Sequence, residues 1–186
     1  MIAGTGSGCG KTTVSCAIMR ALSRRGLKLS AFKCGPDYID PMFHTGVLGA
    51  SSRNLDLFLC GEEAVKTLLA RNSAGSDLSL IEGVMGFYDG LGGCSTALSS
   101  YDLSQKTATP VVLLVSATGI SMSIAAVIKG YKEFLPNRLA GVILNHCSRE
   151  LYPALKGVIE RAPGIKALGF MPKLKTVSVA PRPRRR

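Results

Sequence analysis

The 186-residue sequence contains no tryptophan, and its aromatic content is 6%. It has no basic stripe interleaved with aromatic side chains of the kind that stacks nucleobases. A nucleic-acid partner is therefore not expected, despite a formal net charge of +11. Much of that excess sits at the C-terminal end, where Lys173, Lys175, Arg182, Arg184, Arg185 and Arg186 meet no acidic residue. No apolar run reaches about 18 residues, so no membrane-spanning helix is expected. No leader pattern is visible, and the protein is expected in the cytoplasm. The six cysteines form no C-x-x-C pair and have no histidine at ligand spacing. That excludes a zinc or iron–sulfur site and a secreted disulfide framework. Buried free thiols are the expectation, with Cys9 as an oxidant-sensitive exception. A serine nucleophile elbow and a Cys/His pair are also missing, so acyl-enzyme chemistry is not expected, and neither His44 nor His146 is expected to be a catalyst.

What is present is concentrated near the start. Gly4-Thr5-Gly6-Ser7-Gly8-Cys9-Gly10-Lys11-Thr12-Thr13 follows an apolar start and precedes a helix-periodic stretch, the setting of a phosphate-binding loop. Glycines let backbone N–H groups turn toward anionic oxygens, and the following helix adds its positive N-terminal end. Lys11 can reach the outer phosphates and the Thr12 hydroxyl can ligate Mg²⁺. The strict G-x-x-x-x-G-K-[ST] pattern would need glycine at position 5, where this chain has Thr5; the spacing from Gly4 to Gly10 is one residue longer.

A hydrophobic content of 46% against 19% charged residues suits a buried parallel sheet. Apolar runs alternate with helix-periodic segments, which predicts an α/β fold of βαβ units. Strands are expected over 1–3, 28–33, 78–82, 110–116, 139–145 and 166–171. Helices are expected over 11–25, 61–71, 121–134 and 149–160, with an irregular stretch over 51–60. In such sheets ligands bind beyond the carboxyl ends of the strands, and the phosphate loop, Asp37, Asp40, Glu82, Asp89, Ser116 and Asn145 all fall there.

Glu82 ends an apolar strand beside the loop, where a carboxylate can hold Mg²⁺ directly or through water. Asp37 and Asp40 lie in a proline-bracketed loop that is not expected to be helical throughout; they could serve a metal and a substrate, or only the turn. Lys33 can supply a second cation to a transferring phosphoryl group, or be solvated. Asp89 belongs to a site or to a loop tip. Arg53 and Asp56 are a substrate-carboxylate ligand or a helix-capping pair.

Four stretches together resemble the cobyrinic acid a,c-diamide synthases, ATP-dependent amidoligases related to dethiobiotin synthetase. They are residues 2–13, Phe32-Lys-Cys-Gly-Pro-Asp-Tyr-Ile-Asp-Pro-Met-Phe-His44, Arg53-Asn-Leu-Asp56 and Glu82-Gly-Val-Met-Gly-Phe-Tyr-Asp-Gly90. The resemblance covers roughly residues 1–172 and implies a P-loop NTPase-type three-layer sandwich with a mostly parallel central sheet. It also implies that ATP phosphorylates a carboxylate of a tetrapyrrole and that ammonia displaces the phosphate. Gly6, Gly8, Gly10, Lys11, Thr12 and Thr13 would hold phosphates, and Thr12, Asp37 and Glu82 would hold Mg²⁺. Lys33 would stabilise the transferring group, while Tyr38, Asp40, Arg53 and Asp89 would orient substrate or ammonia. By position, Asn145 would read adenine and Pro172 would border that pocket.

The family continues into a glutamine amidotransferase domain, which this chain does not reach. Residues 1–172 are read as the synthetase domain, with the first strand possibly cut short, and 173–186 as a basic, disordered tail. Ammonia would then be free or come from another chain, and a homodimer is an open expectation. Amidation of another tetrapyrrole, such as nickel-sirohydrochlorin, is an alternative. A ParA/MinD-like regulatory ATPase is another, disfavoured by Gly6 where that branch carries an early lysine.

Overall fold

The computed structural model describes residues 1–49 and 52–174. Among these residues seven strands form one sheet, parallel throughout, in the order β3-β2-β4-β1-β5-β6-β7. They are β1 (Ile2–Gly4), β2 (Leu29–Cys34), β3 (Ser52–Leu55), β4 (Leu78–Glu82), β5 (Val111–Ser116), β6 (Leu139–Asn145) and β7 (Ala167–Met171). The helices are α1 (Lys11–Ser23), α2 (Ile39–Leu48), α3 (Leu57–Ser73), α4 (Ser100–Lys106), α5 (Ser123–Glu133) and α6 (Tyr152–Arg161).

Strand side chains alternate between faces, and the core divides accordingly. Ile2, Ala31, Leu80 and Leu114 pack with Val14 and Met19 of α1. Their sequence neighbours turn the other way: Phe32 and Ile81 meet Val65 of α3 and Leu103 of α4. On that same side Ala3, Leu113 and Leu144 meet Ile124 of α5 and Ile159 of α6. The result is three layers, helix on sheet on helix, the α/β sandwich expected.

Register places the chemistry. Lys33 lies opposite Glu82 across β2–β4 and opposite Asn54 across β2–β3. Asn145 lies between Ser116 and Met171. The last residues of six strands thus share one rim, which β1 joins through the phosphate loop.

Four elements differ from the sequence expectation. Residues 39–48 are helical even though Pro41 falls there: proline in a first turn costs no hydrogen bond, since those N–H groups have no intrahelical partner. Residues 52–55 form an edge strand too short and polar to show alternation. The polar α4 likewise has too little apolar periodicity to announce itself. The helix foreseen over 61–71 begins earlier, at Leu57. Asp56 caps it, accepting from the N–H groups of Phe58 (2.8 Å) and Leu59 (3.2 Å), and its kink falls at Gly61. The tail expectation lies, from residue 175 onward, outside the described residues.

Candidate active site

The phosphate loop, the carboxyl ends of β2, β4 and β6, and the start of α2 build the site. Gly10 closes the loop with φ of 96°, a left-handed conformation that disfavours any side chain. Lys11 then opens α1. Its ammonium is buried and donates to the carbonyls of Gly6 (3.0 Å) and Met85 (2.5 Å). Burial pushes its pKa below that of an ordinary lysine, and the nearby Lys33 charge acts in the same direction. Met85 itself takes a positive φ of 44°, uncommon for a residue with a side chain.

Beside Lys11, Thr12 donates to Glu82 Oε1 at 2.7 Å and approaches Asp40 Oδ1 at 3.3 Å. Lys33 lies between the same two acids, 2.8 Å from Asp40 Oδ2 and 3.3 Å from Glu82 Oε1, and donates to Gly83 O at 2.8 Å. All three charged groups are buried. Burial alone would lower the Lys33 pKa, but Glu82 and Asp40 outweigh it and the net shift is upward. Asp40 reaches this place from α2, whose start is fixed by Asp37: its Oδ1 accepts from the N–H groups of Ile39 (2.9 Å) and Asp40 (3.2 Å).

The second oxygen of Glu82 has its own partner. His44 Nε2 lies 2.7 Å from Oε2, and His44 Nδ1 lies 2.9 Å from Ser52 Oγ. His44 and Glu82 are both fully buried. The sequence reading set this residue aside as a catalyst and gave it no other role. The available signal was the spacing of Asp40 and His44, four apart, which puts both on one face of a helix.

These groups open onto a cavity of about 720 Å³. Gly8, Gly10, Lys11, Thr12, Thr13, Lys33, Asp37, Asp40, Glu82, Asn145 and Pro172 all line it. Gly6 contributes its carbonyl to Lys11 instead. Tyr38 is exposed and lines a neighbouring cavity of about 520 Å³ that shares Asp37. Arg53 is exposed on the edge strand and lines neither cavity. Asp89 also lies outside both, because its carboxylate accepts from Gly86 N–H at 2.9 Å and closes the 86–89 turn. A Cβ at Gly86 would meet that carboxylate. Asn145 faces the loop: its amide donates to Cys9 O at 2.8 Å.

The donor set suits a hard cation. Thr12 Oγ1 and Glu82 Oε1 are neighbouring oxygens with Asp40 close by, and oxygen ligands are what Mg²⁺ selects. Among the described residues no group of three or more His, Cys, Asp or Glu side chains is placed to hold a metal alone.

Loop, helix terminus and strand-end acid define a P-loop α/β domain. The chain belongs to the CobQ/CobB/MinD/ParA nucleotide binding domain family, CbiA, whose model matches residues 1–184. It is 45% identical to a cobyrinate a,c-diamide synthase of Thermoplasma volcanium over 174 residues, covering 93% of this chain and 38% of that one. It is 43% identical to the synthase of the same name from Listeria monocytogenes, covering 98% and 41%, and 40% identical to that of Salmonella typhimurium, covering 98% and 40%. The chain thus spans about two fifths of the length of these curated relatives. Among solved structures, the fold is shared with the signal recognition particle 54 kDa protein of Aeropyrum pernix (TM-score 0.63, 15% identity, covering 92% of this chain and 41% of that one). It is also shared with the hydrogenase maturation factor HypB of Archaeoglobus fulgidus (TM-score 0.56, 19% identity, 90% and 79%).

Proposed function

We propose that this chain is the ATP-binding synthetase part of a cobyrinate a,c-diamide synthase. It would activate the a and c carboxylates of cobyrinic acid for amidation in cobalamin biosynthesis. The observation that carries the reading is the convergence of Lys11, Thr12, Lys33, Asp40 and Glu82 on one rim of the sheet, in a chain whose relatives bear that name. A substrate carboxylate oxygen attacks the γ-phosphorus of ATP, the bond to ADP breaks, and an acyl phosphate forms. Ammonia then adds to the acyl carbon and expels phosphate.

The protein's part in such a transfer is to position reactants and neutralise charge. The loop amides and α1 receive the phosphates. Lys11 exchanges its two carbonyl partners for phosphate oxygens. Thr12, Asp37 and Glu82, which all line the cavity, would hold Mg²⁺, which would neutralise charge building on the phosphates. Lys33 stands within reach of the transferring group, while Asp40 keeps it oriented. Asp37 and Tyr38 border the side from which the acid enters. A separate glutaminase, or free ammonia, supplies the nitrogen.

The test supplies the chain with ATP, Mg²⁺, cobyrinic acid and ammonium chloride and looks for the diamide by mass. Lys11→Ala is expected to abolish product, whereas Cys9→Ser retains most of it. Turnover surviving in Lys11→Ala refutes the assignment. Nickel-sirohydrochlorin in place of cobyrinic acid tests the choice of tetrapyrrole.

A further inference from the structure

Turning backbone amides toward an anion has a corollary for the carbonyls. In a trans peptide C=O and N–H point in opposite directions, so each inward amide leaves an outward carbonyl that must find a donor. Here three loop carbonyls find side chains. Thr5 O accepts from Tyr131 Oη at 2.8 Å, Gly6 O from Lys11 Nζ at 3.0 Å and Cys9 O from Asn145 Nδ2 at 2.8 Å. The Asn145 contact joins residues 136 apart in sequence and is buried. The other end of the Asn145 amide is also engaged, Oδ1 accepting from His146 N–H at 3.0 Å. Gly10 is so close beneath Nδ2 that a Cβ there would collide with it.

We infer that Asn145 is a positioning residue for the phosphate loop, whatever further contact its amide makes with a nucleobase. By gripping Cys9 O it fixes the direction of the Gly10 N–H, at the point where the loop becomes α1 and Gly10 O accepts the Val14 N–H at 3.0 Å. The inference rests on the nucleotide reading above, and it predicts that the residue acts on phosphates whatever base they carry.

The experiment titrates ATP, GTP and inorganic tripolyphosphate into the wild-type chain and into Asn145→Leu and Asn145→Ala. Leucine keeps the packing volume while removing the donor, and thermal melts confirm that each variant folds. Loss of one buried hydrogen bond predicts about three- to tenfold weaker binding. The same factor is expected for all three ligands, including the one without a base. In parallel, hydrogen exchange of the 8–11 amides, measured without ligand, is expected to quicken in both variants. Tripolyphosphate binding unchanged while ATP weakens would make Asn145 a base reader alone and overturns the inference. So does unchanged exchange in the ligand-free loop. If the wild-type chain binds none of the three ligands, the nucleotide reading falls, and the exchange measurement alone decides the grip on the loop.

Discussion

Replacing Lys33 by methionine tests the electrostatic centre of the site. Methionine keeps most of the volume and apolar stem but removes the charge held 2.8 Å from Asp40 and 3.3 Å from Glu82. Both acids are buried, with 6% and 0% of their side chains exposed, so water replaces the lost partner poorly. Breaking a buried pair on one side typically costs about 3–5 kcal/mol, because it strands the opposite charge. With a urea dependence of ~2 kcal/mol per molar, the unfolding midpoint should fall by about 1.5–2.5 M. Adding Asp40→Asn neutralises one stranded acid and should restore about 1–2 kcal/mol, a coupling that a double-mutant cycle reads directly. Urea unfolding followed by circular dichroism is the assay. A loss below about 1 kcal/mol for Lys33→Met would place the pair among solvent-screened contacts and refute the reasoning.

Further outcomes follow from neighbouring groups. His44→Ala removes a hydrogen bond to a buried carboxylate, about 1.5–3 kcal/mol. It should also blunt the Mg²⁺ dependence of nucleotide affinity, whereas His44→Gln, which can still donate to Glu82, should recover much of both; equal effects of the two variants in calorimetric titrations would count against a role in holding Glu82. Burial pushes the Cys34 thiol up to about 11, so between roughly pH 8.5 and 11 the folded chain keeps a proton that the unfolded chain releases. Stability should therefore fall as pH rises through that window, by up to about 1.4 kcal/mol per pH unit. Cys34→Ala should flatten the slope and replacement of exposed Cys60 should not, as denaturant melts across that range would show. Gly10→Ala, which forces both a left-handed alanine and a collision with Asn145, should abolish phosphate binding in the same titrations.

The phosphate loop and Glu82 were legible because their chemistry is local: Gly-Lys-Thr-Thr after an apolar start, and an acid closing an apolar strand. The sheet followed from the same apolar runs. What the sequence did not disclose depends on contacts between distant segments. Asp40 looks like a turn residue until Pro41 is recognised as belonging to a first helical turn, where it harms nothing. His44 resembles an ordinary core histidine until β4 brings Glu82 beneath it. Asp89 sits in a motif that suggests substrate, yet it lines neither cavity and one of its carboxylate oxygens holds the Gly86 amide. Asp56, of the two openings offered for the Arg53–Asp56 pair, takes the capping one.

The resting place of the Lys11 ammonium has an effect beyond phosphate capture. It is parked on Met85 O, and Met85 immediately precedes the turn that Asp89 closes. An anion that drew the ammonium away would also cast off a moored carbonyl, and so loosen a segment 74 residues downstream of the lysine.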